Sequence, residues 1–164
     1  RLIEMPLFSE KESAFQMKYV QGGILLQSPD HVVMDEQTSE VVTNRRAETH
    51  EVRDLKFAFA ICKHVKSNAI VLVKNGQTVG IGAGQMSRVE AVEIAIKKAG
   101  AQSQGAVCAS DAFFPFKDSI EHLAKAGISA IIQPGGSVRD QESIDASNDH
   151  NVAMITTGIR HFKH

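Results

Sequence analysis

The chain lacks tryptophan, has one tyrosine and two cysteines among its 164 residues, and carries a formal net charge of only −1. A charge so close to zero removes the broad electrostatic attraction on which nonspecific nucleic-acid binding depends, so no nucleic-acid partner is expected. Cys62 and Cys108 lie far apart in the sequence and have no metal-ligand spacing. Such sparse cysteine is typical of a reducing compartment, so a cytoplasmic location is expected.

Long apolar runs are missing as well. No stretch approaches the roughly 20 residues of a membrane span, and the N-terminus lacks the basic-then-apolar layout of a signal peptide, so no membrane partner is expected. The chain opens with Arg1 rather than with methionine, which suggests that it starts inside a longer polypeptide. Its length and its 43% hydrophobic content suit a domain with one core.

The pattern of predicted secondary structure changes near Thr49, and this change predicts two parts of the chain. Residues 1–48 form a β-rich lead-in with short β-prone segments at 1–7, 17–27 and 41–44. The glycine pair at 22–23 indicates a bulge or a close backbone approach within the second segment. Residues 49–164 have the pattern of an α/β domain.

Helical spacing of apolar residues predicts a helix over 50–65, with an inward face at the positions Val52, Leu55, Phe59 and Cys62. A hairpin follows, because Asn75-Gly76 is the pair that a type I′ turn prefers. Ser87 and Glu90 have the spacing of a capping box, which predicts a helix from there to Gly100.

The rest of the chain alternates between strands and helices. Strands are predicted at 106–110, 128–133 and 151–156, with helices at about 117–126 and 139–148. This alternation indicates parallel strands joined by right-handed crossovers, and ligands of such sheets bind beyond the carboxyl ends of the strands.

Three glycines at positions 80, 82 and 84 leave two explanations open: space for a flat or bulky ligand, or close packing of a strand against a helix. A dinucleotide site is disfavoured, because the position that would need a third glycine of the motif is Gln85.

The segment 110–116 holds three of the eight phenylalanines beside a carboxylate. The rings suit either of two roles. They could plug the loop into the core, or they could form a platform for a flat heterocycle whose polar edge is hydrogen-bonded by Asp111 or Asp118.

Three further positions each have an ordinary and a functional explanation. Asn68 suits either a helix C-cap or a ligand-binding amide. Ser137 suits a helix N-cap, and the glycines beside it permit the approach of a ligand. Arg160 suits either a solvated tail or a bidentate phosphate contact. No catalytic acid, base or nucleophile is evident from the residues alone, and no histidines pair as metal ligands do.

Several motifs in order resemble the C-terminal part of the AICAR transformylase domain of the bifunctional AICAR transformylase/IMP cyclohydrolase family. They are KSNAI at 66–70, GIGAGQMSR at 80–88, SDAFFPFKD at 110–118, PGGS at 134–137 and RHFKH at 160–164, and YVQGGILLQ at 19–27 also resembles the family. The resemblance covers essentially the whole chain.

The resemblance implies a fold and an activity. The fold is α/β, a cytidine-deaminase-like three-layer sandwich that is the second copy in the transformylase domain. The activity is formyl transfer from 10-formyltetrahydrofolate to AICAR, giving FAICAR in purine biosynthesis, at sites shared across a homodimer. No catalytic transition metal is implied, because the zinc motif of the deaminases is missing.

The resemblance also implies roles for individual positions. Those matching AICAR contacts are Asn68, Arg88, Phe113 and Arg160, with Phe113 near the ring and Arg160 near the phosphate. Those matching the folate side are Val89, Asp118, Ser137 and Val138. Ser67 and Asp111 match positions at which some members hold a monovalent cation such as K⁺, partly through backbone carbonyls.

One departure concerns catalysis. The family's catalytic Lys-His pair belongs to the first half of the transformylase domain. The adjacent Lys63-His64 does not replace it, because it lies in the predicted helix that precedes the Asn68 motif. The isolated chain is therefore expected to be inactive and to contribute binding residues to a larger enzyme. The alternative is a noncatalytic small-molecule-binding or regulatory module of the same fold.

Overall fold

The computed structural model describes residues 3–4, 15–31, 34–35 and 37–163. The chain forms two compact units, residues 1–31 and residues 32–164. The predicted strand at 1–7 lies mostly outside the described residues, and the predicted domain boundary after residue 48 stays a prediction.

The first unit contains an antiparallel hairpin of β1 (Gln16–Val20) and β2 (Gly23–Gln27). The prediction of one β segment with a bulge or a close backbone approach at the glycine pair was wrong, because the chain reverses there. Gly22 has φ +85° in the turn, a conformation that glycine adopts without a Cβ penalty.

The second unit is built on a six-stranded mixed sheet in the order β3-β8-β7-β6-β4-β5. Its strands are β3 (Glu40–Val41), β4 (Ile70–Lys74), β5 (Gln77–Gly82), β6 (Val107–Ser110), β7 (Ala130–Gln133) and β8 (Ala153–Thr156). Strands β6, β7 and β8 are parallel, as predicted, whereas β4 is antiparallel to both of its neighbours and β3 is antiparallel to β8.

Helices cover both faces of this sheet, which confirms a mixed α/β architecture. They are α1 (Thr49–Cys62), α2 (Arg88–Ala99), α3 (Asp118–Lys125) and α4 (Asp140–Asp149). Alternate strand residues point to opposite faces, so Val71 packs in the cluster of α1, whereas Ile70 and Leu72 pack in the cluster of the other three helices. Within the described part of the chain, no helix has the length and apolar character to span a bilayer.

The sequence signals for the turn after β4 and for both ends of α2 are confirmed. Asn75 and Gly76 have φ values of +53° and +73° in the turn between β4 and β5, as a type I′ turn requires. Ser87 and Glu90 form the predicted capping box at the start of α2, and α2 ends where Gly100 takes φ +53°.

The glycines of β5 pack against α2. A Cβ atom at Gly80 would collide with the carbonyl oxygen of Ala95, and one at Gly82 with that of Ala91. Of the two explanations for these glycines, close packing against a helix is therefore correct for both positions. Gly84 lies beyond the strand at φ +65°.

Candidate functional site

Five segments converge at one edge of the sheet. The parallel strands β6, β7 and β8 end there and continue into 111–116, 134–137 and 157–163. Because β4 runs antiparallel to β6, with Ile70 opposite Ser110, the loop before β4 reaches the same edge. The end of β5 lies opposite Ile70 as well, so the approach to α2 completes the group.

Arg88 lies at the centre of this edge and is buried. Its Nη1 forms an ion pair with Asp111 and donates to Ser110 Oγ at 2.8 Å. Its Nη2 donates to Asn68 Oδ1 at 2.8 Å. The guanidinium is thus held by side chains at the end of β6 and in the loop before β4.

Asn68 fixes the loop before β4 and caps no helix. Helix α1 ends at Cys62 with Lys63 as its C-cap, so the C-cap explanation of Asn68 was wrong. Its amide nitrogen donates to the carbonyl of Gln85 at 3.0 Å, and its oxygen accepts from Arg88. The amide therefore joins the loop before β4 to the approach to α2.

Asp111 is fully buried, and its carboxylate is satisfied by the protein itself. Oδ1 accepts from Arg88 and from the amide of Ala69 at 3.1 Å, and Oδ2 accepts from Ser67 Oγ. These contacts do not suit Asp111 as the side-chain ligand of a cation, nor as the partner of a ligand's polar edge. The cation site at Ser67 and Asp111 stays a prediction.

The three phenylalanines after β6 have three different environments. Phe114 is fully buried in the core, and its amide donates to the buried Gln133 Oε1 at 3.1 Å. Phe113 is partly exposed, whereas Phe116 is 50% exposed and lies 5.0 Å from the Arg139 guanidinium. The buried-plug explanation is thus correct for Phe114 alone, and the Phe113 ring remains available to a ligand.

The C-terminal residues are bound to this edge rather than solvated throughout. Arg160 is exposed, but its guanidinium lies 5.1 Å from the centre of the Phe113 ring. The amide of His161 donates to the carbonyl of Asp111 at 3.0 Å, and the amide of Ser67 donates to the carbonyl of Lys163 at 2.9 Å. The buried His161 ring also packs against Phe59 of α1, with ring centres 4.7 Å apart.

A cleft of about 350 Å³ opens at this edge, within the size range of small-molecule sites. Its lining consists of Asn68, Met86, Ser87, Arg88, Ala112, Phe113, Pro115 and Phe162. Three of the four predicted AICAR contacts line it. The sequence interpretation missed Met86 and Phe162, which are 96% and 53% exposed; apolar residues beside the predicted polar contacts were the available signal.

The residues predicted for the folate side lie on adjacent elements. Val89 follows Arg88 in α2, and Asp118 begins α3, where its Oδ1 accepts from the amide of Ser119 at 2.6 Å. Ser137 and the fully exposed Val138 lie between β7 and α4. The residues that line the described cleft do not include these four positions.

The prediction that Ser137 caps a helix was wrong. Helix α4 begins at Asp140, and its N-cap is Arg139. Ser137 Oγ instead accepts from the Arg139 amide at 3.1 Å, so it orders a turn that precedes the helix.

Lys63 and His64 lie at the end of α1, and His64 is exposed with its carbonyl accepting from Lys163 Nζ at 3.1 Å. Among the residues that the structure describes, no group of three or more His, Cys, Asp or Glu side chains is placed to hold a metal ion.

A larger depression of about 620 Å³ lies at the start of α1, lined by Glu48, Thr49, His50 and Arg53. The side chains of Glu48, His50 and Arg53 are all more than half exposed, so it is an open charged surface.

The sequence profile of the AICARFT/IMPCHase bienzyme family matches residues 1–98. The bifunctional purine biosynthesis protein PurH of Oceanobacillus iheyensis is 54% identical over 164 residues, which are 100% of this chain and 32% of that protein. The protein of the same name from Aquifex aeolicus is 56% identical over 156 residues, 93% of this chain and 30% of the relative. The chain thus spans about a third of the length of these relatives.

Among solved structures, Acinetobacter baumannii RibD (form 1) is similar at 18% identity and a TM-score of 0.45. The match covers 67% of this chain and 34% of that one.

Proposed function

Because the chain belongs to the AICARFT/IMPCHase bienzyme family, we propose that it supplies the AICAR- and folate-binding residues of an AICAR transformylase. It is a segment of the bifunctional purine-biosynthesis enzyme, and the alternative of a noncatalytic module is not favoured. The observation that carries the proposal is the convergence of Asn68, Arg88 and Phe113 on one cleft, with Arg160 against the Phe113 ring.

The chemistry of the cleft suits a flat, phosphorylated heterocycle. The Phe113 ring is partly exposed and offers stacking area for a flat heterocycle. The Asn68 amide nitrogen has two N–H donors and gives one to the Gln85 carbonyl, so the second is the donor it can offer a ligand. Arg160 presents an exposed guanidinium, whose fork geometry suits phosphate oxygens.

We further propose that the folate cosubstrate, 10-formyltetrahydrofolate, lies toward Val89, Asp118, Ser137 and Val138. The cation–π contact between Arg139 and Phe116 supports this by linking the turn after Ser137 to the loop before Asp118. Formyl transfer to the AICAR amine needs a proton-transfer group. We assign that group to the Lys-His pair of another part of the enzyme, with the site shared across a homodimer.

The finer fold class is also a proposal. A mixed sheet with α1 on one face and three helices on the other is compatible with the cytidine-deaminase-like sandwich that the family resemblance implies.

Calorimetric titration of the full-length enzyme with AICAR tests the proposed function. Loss of a charge-assisted hydrogen bond at the exposed Arg160 should cost about 1.5 kcal/mol, so Arg160→Ala should weaken AICAR binding about tenfold. Arg53→Ala is the matched control, because Arg53 is an arginine of α1 with a side chain 75% exposed. Equal AICAR affinity in the Arg160 and Arg53 variants would refute the phosphate assignment.

A further inference from the structure

We infer that Asp111 is a positioning residue, which acts on ligand binding by holding Arg88 and the C-terminal segment in place. This inference rests on the proposed function. It assigns Asp111 a role toward protein groups, in place of the cation-ligand role that the family resemblance implies.

The first argument is that three segments meet at Asp111. Its carboxylate takes hydrogen bonds from Arg88 of α2 and from Ser67 and the Ala69 amide of the loop before β4. Its carbonyl takes the amide of His161 from the C-terminal segment. One residue at the end of β6 therefore fixes the relative positions of the three segments.

The second argument concerns charge. The side chains of Asp111 and Arg88 are 0% and 6% exposed, and a buried charge without a partner is strongly destabilising. Each therefore needs the other, and the guanidinium already supplies the positive charge that a cation would bring to this carboxylate. Three of the roughly four lone-pair positions of the carboxylate already accept protein hydrogen bonds, so a cation would find at most one, on Oδ2.

The third argument connects the ion pair to the cleft. The Nη2 atom of Arg88 donates to Asn68 Oδ1 at 2.8 Å, and the Asn68 amide nitrogen donates to the Gln85 carbonyl. Both Arg88 and Asn68 line the cleft. Without the Asp111 carboxylate, Arg88 would lose its fixed orientation and Asn68 would lose a hydrogen-bond partner. The part of the cleft that these two residues form would then be less ordered, and AICAR would bind more weakly.

Asp111→Asn is the informative change, because it keeps the shape and removes the negative charge. The amide oxygen can still accept from Arg88, and the amide nitrogen can donate to Ser67 Oγ. We expect AICAR binding by the full-length enzyme to weaken about tenfold, the loss that accompanies removal of a charged hydrogen bond. Asp54→Asn is the control, since Asp54 is another buried aspartate and accepts from the Gly76 amide of the β4–β5 turn. It should lower the unfolding temperature and leave AICAR affinity unchanged.

A double-mutant cycle separates positioning from general destabilisation. If Asp111 acts through Arg88, Asp111→Asn should weaken AICAR binding about tenfold in the wild-type background and less than twofold in an Arg88→Gln background. Additive losses would overturn the inference. If the Asp111 variant does not fold, Ser67→Ala is the alternative test. We expect it to weaken AICAR binding about threefold, and an unchanged affinity would overturn the inference.

A final arm compares AICAR binding in K⁺, Na⁺ and tetramethylammonium buffers at equal ionic strength. We expect equal affinities in the wild-type enzyme. A K⁺ requirement that disappears in Asp111→Asn would show a cation at this carboxylate and overturn the inference. Wild-type enzyme that does not bind AICAR in any buffer would refute the proposed function itself, whereas equal binding by wild type and Asp111→Asn would refute only the positioning role.

Discussion

Replacing Gly82 by alanine tests whether the glycines of β5 serve helix packing or leave room for a ligand. A Cβ atom there would lie 2.7 Å from the carbonyl carbon of Ala91 and 2.9 Å from its Cα, and would collide with its oxygen. These atoms belong to the backbone of α2, which cannot rotate away as a flexible side chain could. Strand β5 and helix α2 would have to separate.

The size of the effect follows from two opposing contributions. Overpacking of a dense interior costs about 1–3 kcal/mol, and the gain from a stiffer unfolded chain is only about 0.4–1 kcal/mol. We expect a net loss near the upper part of that range, about 2 kcal/mol, because the collision is with backbone. For a chain of this length, such a loss lowers the midpoint of thermal unfolding by about 4–8 °C.

The assay is thermal unfolding followed by circular dichroism. Gly23→Ala in β2 is the control, because a Cβ atom at Gly23 would meet nothing within 4 Å, and its midpoint should stay within about 2 °C of wild type. A Gly82→Ala variant that unfolds at the wild-type temperature but binds AICAR more weakly would refute the packing argument. It would restore the interpretation of this glycine as ligand space.

Two further predictions concern buried ionisable groups. Burial raises the pKa of Glu51, but hydrogen bonds from Arg45, Ser129 and the Glu48 amide, with the charge of Arg45, outweigh it and leave the pKa below its ordinary value. Glu51 thus stabilises the fold above its unfolded pKa, and this contribution is lost as the pH falls through the lower folded pKa. Urea midpoints of wild type and Glu51→Gln should differ at neutral pH and converge as the pH falls through the lowered pKa of Glu51; a constant difference would contradict this. Burial raises the pKa of both Cys62 and Cys108, so a thiol reagent should modify both only after unfolding, and modification of the native chain would refute their inertness.

The features predicted correctly from the sequence are those decided by near neighbours. The type I′ turn needs only two residues that tolerate positive φ, and Asn75-Gly76 provides them. The start of α2 needs only a serine and a glutamate three positions apart, as at Ser87 and Glu90. The parallel order of β6, β7 and β8 follows from short crossovers, each with one helix.

The features that were missed depend on residues far apart in the chain. The sequence contains no local signal that Asp111 would be buried against Arg88, because that pairing requires β4 to lie between β5 and β6 with antiparallel register. For Gly82 the sequence left helix packing and ligand space both open, and only the position of Ala91 in the next helix decides between them. The position of Phe162 on the cleft depends on the C-terminal segment folding back over the sheet edge.

If this edge binds a phosphorylated ligand as proposed, its two arginines would have different roles. Arg88 has both terminal nitrogens committed to Asn68, Ser110 and Asp111, and its side chain is 6% exposed, so it is suited to shape the cleft wall. Arg160 is exposed, and its described ring contact is with the face of Phe113, which leaves the edge of its guanidinium for hydrogen bonds. A phosphate would therefore gain most of its charge compensation from Arg160. Arg88 would affect the heterocycle of the ligand indirectly, by fixing the position of Asn68. Because the C-terminal segment is bound to Asp111 through the His161 amide, the same carboxylate residue sets the positions of both arginines.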